Sequence, residues 1–197
     1  NGPIEIGSVL EAGHSYVLKE VQAPKGYYCG EEQQFNINML PSNAITVQIK
    51  DQPIHCEVQK MDSNEAPLKG ARLCLLENKN KIVEWTSNEM PFDLANYLQD
   101  GHTYVIQEME APIGYYKIPE YVFTVSVDTD SEIAHLNLID EDIHYEILKT
   151  DEVGNSVPGV QLALFDTTEN HQVLIRRWLT TNQAETFGSE LIAGHTY

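Results

Sequence analysis

The chain repeats itself, and that restricts its fold more than any other feature. Gly13-His14-Ser15-Tyr16 returns as Gly101-His102-Thr103-Tyr104 and again as Gly194-His195-Thr196-Tyr197, at spacings of 88 and 93 residues. Glu20-Val21-Gln22-Ala23-Pro24-Lys25-Gly26-Tyr27-Tyr28 is matched by Glu108-Met109-Glu110-Ala111-Pro112-Ile113-Gly114-Tyr115-Tyr116. Ile54-His55-Cys56-Glu57-Val58-Gln59-Lys60-Met61-Asp62 is matched by Ile143-His144-Tyr145-Glu146-Ile147-Leu148-Lys149-Thr150-Asp151, with Gly70 and Gly159 each ten residues beyond the lysine. A fixed period with conserved internal order means one folded unit used several times. The markers divide the chain into the second half of a unit (1–53), a complete unit (54–142) and the first half of another (143–197). Because Tyr197 falls inside a motif, the chain is expected to be a piece cut without regard to unit borders.

Within a unit the pattern is β. Ile45, Val47 and Ile49 alternate with Thr46, Gln48 and Lys50, and residues 122–127 are rich in strand formers. Leu73-Cys74-Leu75-Leu76 and Leu162-Ala163-Leu164-Phe165 follow turns that contain glycine, whereas helical periodicity is weak, with at most a turn or two over 88–98. Short strands between turn residues predict an all-β chain of tandem Greek-key β-sandwiches, one complete and two partial.

Charge narrows the partners. With 30 Asp and Glu against 12 Lys and Arg, the net charge of −18 disfavours nucleic acid and anionic lipid. No apolar run is long enough to insert into a membrane, and the first residues do not read as a signal peptide. Cys29, Cys56 and Cys74 are odd in number and form no Cys-x-x-Cys pair, which argues against a zinc ribbon or a disulfide framework. By strand parity Cys56 points inward and Cys74 outward. His14, His102 and His195 occupy one repeat position about a domain length apart, so a turn role is expected rather than metal ligation; His55 and His144 read as strand-start residues. The acidic turns 128–132 and 140–142 lack an EF-hand pattern. Trp85 and Trp178 sit at matching positions and read as packing residues. No nucleotide-binding, nucleophile-elbow or zincin motif is present, so neither cofactor nor metal is expected.

Charged residues end three apolar strand faces. Side chains two apart share a face, so Cys56 and Val58 lead to Lys60, Tyr104 and Ile106 to Glu108, and Ala134, Leu136 and Leu138 to Asp140. The partial units keep this phase: Tyr16 and Leu18 lead to Glu20, Val47 and Ile49 to Asp51, and Tyr145 and Ile147 to Lys149. Two outcomes stand open. Each charge sits half-solvated at a strand end, or the three meet inside. In the second case burial disfavours the charged forms, and a neutral amine can attack a protonated Asp carboxyl while the Glu shuttles protons.

These motifs resemble the B-type repeat of the collagen adhesin of Gram-positive bacteria, the Cna B-type or SpaA-like prealbumin-fold (reverse Ig-like) domain. The resemblance is carried by Lys-x-Asp at 60–62 and 149–151, the glycine turn after it, Gly-His-Thr-Tyr, and above all Glu-x-x-Ala-Pro-x-Gly-Tyr. It implies a cell-wall-attached extracellular surface protein or pilin, with neighbouring repeats as partners. It also implies a self-formed isopeptide bond between a first-strand Lys and a last-strand Asn or Asp, assisted by Glu. Carried over, the complete unit would use Lys60, Asp140 and Glu108. The partial units hold Glu20, Asp51 and Lys149, complementary halves for which two outcomes stand open: they fold imperfectly, or they pair between chains, noncovalently or through a Lys149–Asp51 bond. The expected role is a mechanical spacer. The competing reading is a binding module for a host protein or glycan. An enzyme with turnover is disfavoured.

Overall fold

The computed structural model describes residues 4–40, 45–169 and 171–197. The complete repeat contributes strands β5 (Glu57–Met61), β6 (Arg72–Glu77), β7 (Asn80–Thr86), β8 (Phe92–Asp93), β9 (Thr103–Glu110), β10 (Tyr121–Thr124) and β11 (His135–Ile139). They form a four-stranded sheet in the order β10-β9-β6-β7 and a three-stranded sheet in the order β11-β5-β8. The expected all-β sandwich pattern is present, with one short helix, α1 (Asp130–Ile133), before the last strand. The sequence's weak helical stretch at 88–98 becomes β8 and a 3-10 turn at Ala95–Tyr97.

The first and last strands of the repeat are neighbours. The Glu57 N–H donates to the Ala134 carbonyl and the Asp140 N–H to the Met61 carbonyl, so β5 and β11 run side by side in the same direction. This pairing brings the C-terminal ends of both strands to one place.

The partial repeats reproduce parts of this plan. Before the complete repeat lie β1 (Ser15–Leu18), β2 (Tyr27–Tyr28), β3 (Gln33–Asn36) and β4 (Gln52–Pro53), with β1 paired to β3 and β2 to β4. After it lie β12 (Tyr145–Ile147), β13 (Gln161–Asp166), β14 (Val173–Leu179) and β15 (Glu185–Phe187), with β12 paired to β15 and β13 to β14. The strand expected at 45–49 is not formed. Its counterpart β11 is held by β5, whereas among the described residues no strand pairs with 45–49.

The compact units do not coincide with the repeats. One comprises Asn1–Glu57, Asp93–Thr103 and Phe123–His135; the other comprises Val58–Phe92, Tyr104–Val122 and Leu136–Tyr197. The first has a core of Cys56, Leu94, Leu98, Phe123, Val125 and Ile133, joined by Ala23, Tyr28 and Ile54. The second buries Val58, Leu73, Leu75, Tyr104, Ile106, Leu136 and Leu138, and carries a smaller cluster of Ile143, Phe187 and Leu191.

Cys74 corrects the parity argument: it is buried, not a surface thiol. It lies on β6, an interior strand, opposite Glu84 of β7 and Gln107 of β9. Glu84 is tied to Arg72 and Lys81, and Gln107 to Glu120. Long paired polar side chains thus cover a small one between them, which strand alternation alone does not register.

Candidate cross-linking site

Each member of the site reaches it by a local device. Lys60 ends the inward face of β5, and the chain then turns back over it. Asp62 Oδ1 accepts from the Asn64 and Ala66 N–H groups, both at 2.9 Å, and the Leu68 N–H donates to the Lys60 carbonyl at 2.8 Å. The third repeat builds the same turn, with Asp151 Oδ1 accepting from Val153 and Asn155 and the Val157 N–H donating to the Lys149 carbonyl. The Asp of Lys-x-Asp is therefore a turn-former, the usual work of a carboxylate two residues before a free N–H.

Glu108 ends the inward face of β9, and its Oε2 accepts from the Ile118 N–H at 2.9 Å. The equivalent bond in the first repeat runs from the Gly30 N–H to Glu20 Oε2 at 2.8 Å. Asp140 follows β11. The Gly-His-x-Tyr motif also has a structural duty beyond its turn: the Tyr16 hydroxyl accepts from the Glu11 N–H and the Tyr197 hydroxyl from the Ile192 N–H, each at 2.7 Å and five residues upstream. This is the tyrosine-corner arrangement of β-sandwiches.

The structure brings Lys60, Glu108 and Asp140 together. They are 1%, 4% and 0% exposed, which places them among the core residues rather than at solvated strand ends. Lys60 Nζ contacts Asp140 Oδ1, lies 3.7 Å from Glu108 Oε1, and is 3.4 Å from the Leu138 carbonyl. The alternation Tyr104, Ile106, Glu108 and Leu136, Leu138, Asp140 is the predicted inward phase.

Burial sets the electrostatics. Loss of solvation pushes the Glu108 carboxyl up to about 7, against the Ile118 N–H and the Lys60 charge, which favour its ionised form. Asp140 is also raised by loss of solvation, opposed by Lys60 and by its hydrogen bond with Glu108. Glu108 Oε1 and Asp140 Oδ2 are buried with no N–H or hydroxyl donor. A proton held between the two carboxyls satisfies both atoms, and two like charges in one dry site favour its retention. The neutral arrangement is then one ammonium, one carboxylate and one carboxylic acid.

The partial repeats do not complete the set. Glu20 and Asp51 meet: Asp51 is raised by loss of solvation and then by the charge of Glu20, with which it shares a hydrogen bond. Asp51 is nevertheless exposed, and Tyr16, Val47 and Ile49 are only half-buried. Lys149 Nζ donates to the Thr150 carbonyl at 2.6 Å, and Tyr145 and Ile147, inward by phase, are 56% and 36% exposed.

Other candidate sites yield packing roles. His195 Nδ1 is 2.6 Å from Asp166 Oδ2, and this contact helps hold Asp166 down at about 2. Trp85 stacks on Phe92 with centroids 4.7 Å apart, and Trp178 meets Phe187 edge-on at 5.0 Å. Among the described residues, no three His, Cys, Asp or Glu side chains converge as a metal-binding set. An open apolar cleft of about 510 Å³ is lined in part by Tyr145, Ile147, Leu164 and Phe187. Tyr145, Ile147 and Leu164 correspond to the buried Cys56, Val58 and Leu75 of the complete repeat, so the cleft is the uncovered core face of the third repeat.

Comparison with known proteins assigns the fold of the complete repeat to a class. Residues 55–142 match the family model of the SpaA prealbumin-like fold domain. The chain thus carries a SpaA-like, Cna B-type domain across its complete repeat. Among solved structures it is similar to the Bacillus anthracis TIE protein, at 19% identity and a TM-score of 0.40 over 88% of this chain and 34% of that one. It is also similar to a streptococcal ancillary pilin, at 11% identity and a TM-score of 0.34 over 88% and 62%. A third is the shaft pilin SpaA of Lactobacillus rhamnosus GG, at 13% identity and a TM-score of 0.31 over 66% and 64%. The chain therefore spans from about a third to under two thirds of these proteins. No curated protein sequence matches it.

Proposed function

We propose that the chain is a spacer segment of a bacterial cell-surface or pilus protein, and that its complete repeat is locked by a self-formed amide between Lys60 and Asp140. The observation that carries this reading is the convergence of one buried lysine and two buried carboxyls between the first, the last and the facing strand of a single sandwich. Ions so placed are costly to bury, whereas an amide in their place is neutral.

The reaction balances within the triad. The Lys60 ammonium gives a proton to the Asp140 carboxylate. The neutral Nζ attacks the Asp140 carboxyl carbon. Glu108 relays the amine proton to the departing hydroxyl, the C–O bond breaks, and one water leaves. Glu108 suits this relay because its pKa of about 7 lets it give and take a proton near neutrality. The event happens once per molecule, so the chain is not a turnover enzyme. Joining the first strand to the last closes the path by which tension enters and leaves the domain, as suits an extracellular stalk whose partners are its own neighbouring repeats. Glu20 with Asp51 forms the acid half of the same set and Lys149 the amine half. A second copy of the chain would bring these together in a noncovalent pairing.

Intact mass of the denatured, reduced protein tests the cross-link, with Lys60→Ala as control. A monomer one water lighter than its sequence, with the deficit absent in the variant, supports the proposal. A full-mass wild type overturns it.

A further inference from the structure

The Ala-Pro-x-Gly-Tyr turn does more than end the strand that bears the glutamate. In the first compact unit, the Gly26 N–H donates to the Leu98 carbonyl at 2.9 Å and the Ile54 N–H donates to the Gly26 carbonyl at 2.8 Å, while Tyr27 pairs with Pro53. In the second unit, the Gly114 N–H donates to the Leu191 carbonyl at 2.7 Å and the Ile143 N–H to the Gly114 carbonyl at 2.8 Å, while Tyr115 bridges to Asp142. Gly26 and Gly114, Leu98 and Leu191, Ile54 and Ile143 are repeat equivalents. In each case the turn belongs to one repeat, and the leucine and isoleucine belong to the next.

The glycine is required on two counts. Its φ is +86° at Gly26 and +92° at Gly114, in the left-handed region that L side chains avoid. A Cβ would also stand 3.2 Å from Asn96 Oδ1 in one case and 3.1 Å from Ser189 Cα in the other, and positions 96 and 189 are again equivalents in the following repeat. The surrounding residues are buried: Ala23 and Ile54 are each 2% exposed, Leu98 is 0%, and Leu191 and Ile143 are each 5%. Polar contacts extend the first of these interfaces, with the Tyr28 hydroxyl donating to Asp130 Oδ1 and the Cys29 N–H to Asp100 Oδ2.

We infer that the Ala-Pro-x-Gly-Tyr turn is a docking joint whose partner is the segment entering the first strand of the next repeat together with the turn that ends at Leu98 or Leu191, and that the chain uses this one interface twice. Recognition runs through backbone groups around a glycine, so it tolerates side-chain variation between repeats and demands only a small neighbour at the position of Asn96 or Ser189. The joint fixes where each repeat begins relative to the turn before it. It does not depend on the Lys60–Asp140 bond.

Hydrogen exchange on the full chain tests the joint, because an N–H held in a buried joint exchanges slowly. In the wild type the Gly26, Ile54, Gly114 and Ile143 amides should be protected. Gly114→Val should speed exchange at Ile143 by roughly tenfold or more and leave Ile54 unchanged. Gly26→Val should do the reverse. Gly101→Val is the control: its φ is +80° but nothing lies within 4 Å of its Cβ, so it imposes the backbone strain without the crowding and should spare both isoleucines. Unprotected Gly114 and Ile143 amides in the wild type would overturn the inference. So would a Gly101→Val variant that loosens Ile143 as much as Gly114→Val does.

Discussion

The chain holds the same three-residue pattern in two conditions, sealed in the complete repeat and open in the partial ones. Glu108 and Glu20 each accept one backbone N–H, at 2.9 and 2.8 Å, from residues ten positions further on. Up to that point the two repeats are alike. They part at the aspartates: Asp140 is 0% exposed, while Asp51 lies at the surface. Local sequence is thus enough to aim a carboxyl, and burial requires the opposite strands. Asp51 is raised by lost solvation and by its neighbour Glu20, but it stays open to water. Its counterpart Asp140, between two packed sheets, lies next to an amine that is likewise shut off from solvent.

The largest effect that would break this contrast is on stability. Lys60→Ala would remove the proposed link, which would close a loop of about 80 residues and by the chain-entropy argument for disulfides contribute about 4 to 5 kcal/mol. It also leaves two buried acids without their cation. Calorimetry should show the melting temperature falling by roughly 10–20 °C. Lys149→Ala, at the equivalent but open position, should change stability by less than about 0.5 kcal/mol. Similar shifts in the two variants would abolish the distinction between sealed and open sites.

Glu108→Ala should come next. The chain should keep its full mass for want of a proton relay and lose nearly as much stability, whereas Glu20→Ala should cost under about 1 kcal/mol in urea unfolding. A Glu108→Ala protein that still sheds one water would remove Glu108 from the chemistry.

A smaller effect is read from pH. In Lys60→Met the acids remain buried and lose the cation that lowers them, so Glu108 stays raised at or above the value of about 7 it has beside Lys60. Its folded pKa then exceeds its unfolded one, and the folded state binds more protons between the two. Stability should be greatest below the ordinary Glu value and fall as pH rises through Glu108's folded value, by on the order of 3 kcal/mol. Urea midpoints that rise with pH over this range would contradict the shift.

The smallest effect is on thiol access. Cys56 and Cys74 are buried, and burial pushes Cys56 up to about 12, whereas Cys29 of the first repeat is part-exposed. A thiol reagent should modify one cysteine per native chain and three after denaturation. Rapid labelling of all three in the native protein would mean that the complete repeat is not sealed.

The sequence by itself determined the repeat, its β character and the inward phase of β5, β9 and β11, because period and alternation are one-dimensional properties. Lys60, Glu108 and Asp140 were each legible as a charge at the end of an apolar face for that reason, and the resemblance joined them into a set. Their meeting was decided by tertiary structure, since it needs β5 and β11 to run in parallel with β9 facing them, and no local rule orders strands that lie some 80 residues apart. The burial of Cys74 was likewise tertiary, depending on what Glu84 and Gln107 do from neighbouring strands. The missing strand at 45–49 makes the same point from the other side: Ile45, Val47 and Ile49 alternate correctly, but a strand exists only when another backbone takes up its hydrogen bonds.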